Sequence, residues 1–82
     1  MQIRVYGPGC YRCQVLAENA RLAVAKLGID ATVEEVHDLI QMVALGIVTT
    51  PTLVVDGRVV MSGKVPSVEE LQEIFGRSPV TA

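Results

Sequence analysis

Two cysteines, Cys10 and Cys13, are the residues of this 82-residue chain whose type and spacing most directly imply chemistry. They stand three apart in Gly7-Pro8-Gly9-Cys10-Tyr11-Arg12-Cys13. Such a pair can close a disulfide, undergo thiol exchange, or contribute two soft ligands to a metal. At the first turn of a helix, the unpaired backbone N–H groups and the positive end of the helix dipole stabilise a thiolate. Cysteines in that setting have pKa values of about 3.5 to 7.5, against about 8.5 for an ordinary thiol. The thiolate of Cys10 is then the one stabilised, and Arg12 between the sulfurs adds positive charge. Cys13, one turn on, can attack a mixed disulfide formed on Cys10.

Two other readings of the pair stay open. Cysteine is often a small, inert core residue, but the breaker-rich Gly7-Pro8-Gly9 favours an exposed turn. A structural zinc site wants about four ligands. Beyond the thiols the chain supplies His37 and carboxylates, so a soft-metal site needs a dimer or a partner to complete it.

The elements that must hold the pair can be read from periodicity. Gln2 to Tyr6 alternates, with Ile3 and Val5 on one face, and predicts a short strand stopped by Gly7-Pro8-Gly9. From Cys10 to Leu27 the apolar residues follow three- and four-residue steps through Cys13, Leu16, Ala17, Ala20, Ala23 and Val24. This predicts a long helix with an alanine-rich stripe that can lie close to a sheet, ended by Gly28. Ala31 to Val36 predicts a strand whose Glu34 and Glu35 suit a sheet edge. Asp38 with Gln41 matches a capping box before a short helix carrying Leu39, Met42, Val43 and Leu45 as its apolar residues, stopped by Gly46.

Thr52 to Val55 and Arg58 to Met61 flank Asp56-Gly57, a strong hairpin signal, and the run Leu53-Val54-Val55 predicts burial on both faces. Ser67 and Glu70 predict a capped final helix with Val68, Leu71, Ile74 and Phe75 inward and Gly76 as its stop. The order β-α-β-α-β-β-α implies an α/β fold: a four-stranded mixed sheet with helices on both faces. The first two strands are parallel through a right-handed crossover. One domain, residues 1–76, and a tail, residues 77–82, are expected.

Composition narrows the function. Half the residues are apolar and the formal net charge is −2 with dispersed Lys and Arg, so no basic footprint for nucleic acid or an anionic membrane is present. Because Met1 runs almost directly into the first strand, no secretory leader is expected, and no apolar run reaches the length of a bilayer span. A cytoplasmic monomer is expected. In that compartment a lone close cysteine pair is catalytic or metal-binding rather than a structural staple.

Taken together, the cysteine pair after the first strand, Val48-Thr49-Thr50-Pro51 before the hairpin, and Gly63 after the last strand resemble the thioredoxin superfamily. More closely they resemble its small, glutaredoxin-sized, thioredoxin-like redox-active disulfide proteins of bacteria and archaea. The likeness spans roughly Gln2 to Phe75. It implies a thioredoxin fold and a thiol–disulfide oxidoreductase or electron relay, working in the reductase direction. No cofactor is implied beyond the Cys10–Cys13 couple, and no metal. Partners are protein disulfides and an upstream reductase.

By the same resemblance Pro51 is a cis-proline facing the cysteines, and Thr50 presents backbone to an extended substrate. Gly63 keeps the adjacent surface flat, Cys10 is the nucleophile and Cys13 the resolving cysteine. Tyr11, beside Cys10, reads from its position as a substrate contact or as a lid on the helix end. A soft-metal or redox-sensing interaction module is the alternative use of the same pair. The sequence also departs from ordinary thioredoxins: Gly9 replaces their tryptophan, Tyr-Arg separates the cysteines, and the first strand carries Arg4 in place of a buried acid. His37 reads as a polar loop residue ahead of the Asp38 cap, and Met42 and Met61 as core filler.

Overall fold

A computed structural model describes residues 1–9 and 11–77. Seven elements follow in the expected order: β1 (Gln2–Tyr6), α1 (Tyr11–Leu27), β2 (Thr32–Val36), α2 (Leu39–Ala44), β3 (Thr52–Val55), β4 (Arg58–Ser62) and α3 (Val68–Arg77). The sheet order is β2-β1-β3-β4. β1 runs parallel to β2 and antiparallel to β3, which pairs antiparallel with β4. β2 therefore lies at an edge, where Glu34 and Glu35 stand.

Strand alternation divides the core. Ile3, Val5, Leu53 and Val55 point to one face, where Leu16, Ala17, Ala20 and Ala23 of α1 and Leu71 and Phe75 of α3 cover them. The alanines keep α1 close to the strands, as the stripe implied. Tyr6 and Val54 point to the other face and meet Met42 of α2, with Val36 and Ile47 beside them. All four residues of β3 are buried, which accounts for its unbroken apolar run.

Local signals fix most element ends. Gly28 N–H donates to Val24 O and Ala25 O, closing α1. Asp38 Oδ1 accepts from Ile40 N and Gln41 N at the start of α2. The Ser67–Glu70 box is reciprocal: Glu70 N donates to Ser67 Oγ and Ser67 N to Glu70 Oε1. Asp56 and Gly57 both take positive φ, 49° and 84°, the conformation of a tight hairpin turn.

Several expectations need correction. β2 starts at Thr32 rather than Ala31, and β4 reaches Ser62. α3 continues through Gly76 to Arg77, because Gly76 does not adopt the left-handed conformation that ends a helix. The larger difference is α2. Of its apolar residues only Met42 is buried, while Leu39, Ile40, Val43 and Leu45 are exposed. Six residues make less than two turns, so one side chain reaches the sheet and the others face outward. Cys10 and residues 78–82 of the expected tail lie outside the described residues. Among the described residues no helix is long and apolar enough to cross a membrane.

Candidate active site

The strand register brings four loops to one end of the sheet. Tyr6 is paired with Val36 on one side and Thr52 on the other, and Thr52 with Ser62. The segments just beyond these residues, Gly7–Gly9, His37, Thr49–Pro51 and Gly63, are thereby neighbours although they come from different parts of the chain.

Cys13 lies in the first turn of α1 with 1% of its surface exposed. Its sulfur rests on the backbone of Gly7 so closely that a methyl group at Gly7 would overlap Sγ. The same methyl would stand 3.7 Å from Thr50 Cβ. Gly7 is therefore the point at which the cysteine turn, helix α1 and the Thr50-Pro51 segment converge. Only a residue without a side chain fits there, a requirement separate from any special φ.

Beyond Thr50, the Thr50–Pro51 peptide bond is cis, as the resemblance implied. Pro51 is buried and Thr50 partly so. A polar network anchors this segment: Thr52 Oγ1 donates to Thr49 O at 2.6 Å, and Thr49 and Ser62 join their hydroxyls. Gly63 N–H donates to Pro51 O at 2.8 Å. Gly63 takes φ +75°, a conformation that favours glycine, and its carbonyl accepts from the Arg12 guanidinium at 2.9 Å. Arg12, expected beside the sulfurs as a charge, thus also straps the residue between the cysteines to the end of β4. Tyr11 is 79% exposed at the rim.

The Gly7–Gly9 turn is held from two further sides. Gly7 N–H donates to Val36 O at 3.0 Å, and its carbonyl lies 2.9 Å from His37 Nδ1. Gln14 Nε2 donates to Gly9 O at 3.3 Å. The sequence places His37 in a loop and offers no signal for this contact, which spans 30 residues and exists because β1 and β2 pair in register.

Arg4, paired with Val54, lies on the α2 face of the sheet, not among the α1-facing core residues. Its hydrogen bond with Tyr6, followed by the attraction of Glu34, raises its pKa above the already high ordinary value. It remains a cation and cannot serve as a proton acceptor. Among the described residues no three His, Cys, Asp or Glu side chains converge as a metal site.

Comparisons with known proteins agree with this architecture. Residues 1–76 match the family model for a thioredoxin domain. A protein named thioredoxin from Methanothermobacter thermautotrophicus is 45% identical over 75 residues, covering 92% of this chain and 97% of that protein. A second protein of that name, from Methanocaldococcus jannaschii, is 42% identical over 71 residues, covering 87% of this chain and 81% of the relative.

Proposed function

Since the chain belongs to the thioredoxin superfamily, we propose that it is a thiol–disulfide oxidoreductase that reduces protein disulfides through Cys10 and Cys13. The observation that carries this reading is the packing of Cys13 Sγ against Gly7, where an added methyl would also meet Thr50, the residue before cis-Pro51. A resolving thiol needs that kind of seat: shielded from bulk reagents, yet one helical turn from its partner cysteine in sequence.

In the first step the Cys10 thiolate attacks one sulfur of a substrate disulfide. A mixed disulfide forms and one substrate thiolate leaves. Cys13 then loses its proton and attacks Cys10 Sγ, which releases the second substrate thiolate and leaves the Cys10–Cys13 disulfide. Two electrons have passed to the substrate. An upstream dithiol reductase returns them, with the cytoplasm as the compartment where both reactions run. Attack rates in such exchange depend on thiolate fraction and on access. The substrate segment lies along Thr50 and across Gly63, and Tyr11 meets it from the helix side.

The test is catalysed reduction of insulin disulfides by dithiothreitol. The unsubstituted protein accelerates the reaction, and Cys10→Ser drops to the uncatalysed rate. Cys13→Ser accumulates a mixed disulfide on Cys10, detectable by mass. Equal acceleration by all three proteins would sink the reading.

A further inference from the structure

The imidazole of His37 stands against the turn that leads into the cysteines, and its contacts divide into two kinds. One is polar. A carbonyl oxygen can only accept, so the 2.9 Å contact to Gly7 O requires Nδ1 to carry a proton. Nδ1 keeps that proton in both the neutral tautomer and the imidazolium, so the bond to Gly7 persists in either state. The other contact is steric. A methyl group at Gly9 would lie 3.3 Å from His37 Cε1 and 3.4 Å from Nδ1, which makes the ring the floor beneath Gly9.

The ring is itself held on its far side. Nε2 lies 3.8 Å from Glu35 Oε1, and Glu35 Oε2 lies 3.7 Å from Arg21 of α1. Those separations are ion-pair distances on a half-exposed surface and contribute orientation more than stability. The bond to Gly7 is the consequential one. Gly7 N–H is already held by Val36, and with His37 on its carbonyl the peptide on which Cys13 Sγ rests is fixed at both ends. The two holders are adjacent in sequence: Val36 ends β2 and His37 follows it.

We infer that His37 is a positioning residue for the second step of exchange: by holding Gly7 O it keeps rigid the wall on which the resolving Cys13 is seated. This rests on the exchange reading above and names a residue that the reading does not use. His37 takes no chemical part in the exchange. It acts through Gly7. The effect therefore falls on Cys13 attack more than on Cys10 attack.

Ellman's reagent, below one equivalent, separates the two steps. Cys10 thiolate attacks its disulfide and releases one thionitrobenzoate. Cys13, losing a proton to solvent, attacks Cys10 Sγ and releases the second. Stopped-flow absorbance gives the rate of each release. His37→Phe keeps a ring under Gly9 but has no donor for Gly7 O. The second release is expected to slow by about two- to tenfold, the value of one hydrogen bond, with the first release changed less. His37→Asn supplies an amide donor near the place of Nδ1 and is expected to restore the second release to within about twofold of the unsubstituted rate.

Loss of folding, read by circular dichroism, would alter both releases together, so the ratio of the two rates is the deciding quantity. Should His37→Phe not fold, the same ratio compared between His37→Ala and His37→Asn decides, with the alanine variant slow and the asparagine variant restored. A ratio equal to that of the unsubstituted protein in the donor-less variant overturns the role of His37. An unsubstituted protein that releases only one thionitrobenzoate per molecule of reagent overturns the exchange reading itself, whatever the His37 variants do.

Discussion

The two faces of the sheet are built to different depths. On one, α1 and α3 bury Ile3, Val5, Leu53 and Val55 under six further core side chains and under Cys13 itself. On the other, a six-residue helix brings one methionine to Tyr6 and Val54. The deep face seats the Cys13 sulfur. The thin face exposes Leu39, Ile40 and Val43, and the loop just before its helix supplies His37. A small domain has only enough apolar surface to fill one core well, and this chain spends it on the face that anchors the cysteine helix.

The largest expected effect breaks the deep face. Leu16→Ala opens a cavity at a fully buried position and should cost about 3–5 kcal/mol of unfolding free energy in urea, whereas Met42→Ala on the thin face should cost about 2 kcal/mol. Equal losses would mean that the faces contribute alike.

Next in size is the junction between them. Gly7→Ala places a methyl on Cys13 Sγ and is expected to cost about 1–3 kcal/mol through overpacking. It should also disturb the reaction of Cys13 with thiol reagents, measured alongside the urea transition.

The smallest effect sharpens the contrast from the other side. Val43, 73% exposed in α2, should change stability by no more than about 0.5 kcal/mol on replacement by serine. A loss above about 1.5 kcal/mol would show that α2 buries more than Met42.

Much of the fold was legible because its signals are local. Gly28, Asp38, the Ser67–Glu70 pair and Asp56-Gly57 each act through neighbours a few residues away, so the element order and most ends could be read directly. Gly76 misled because a glycine ends a helix only where it turns left-handed, and the residue type alone does not decide that. The apolar residues of α2 misled for a related reason. Periodicity tells which side chains share a face, but not whether a sheet is long enough or near enough to cover them.

At the candidate site the same division holds. The cysteine spacing, the breaker turn and Thr50-Pro51 pointed to exchange chemistry and to the segments that face each other. Arg12 was read as a charge beside the sulfurs, while its bond to Gly63 O, 51 residues away, appears only in the folded chain. His37 was read as loop. Its ring supports the cysteine turn because parallel pairing sets the end of β2 beside the end of β1.

By itself the sequence determined the spacing of the cysteine pair, the caps and turns that delimit seven elements, and a core patterned by periods of two and of about 3.6. All of these are interactions over one or two turns of chain, where residue type and spacing suffice. Tertiary structure alone decided that Gly7 is the seat of Cys13, that Gly63 is tied to both Pro51 and Arg12, and that His37 holds the turn. Those contacts depend on strand register, which aligns residues tens of positions apart and leaves no mark in the local pattern of either one.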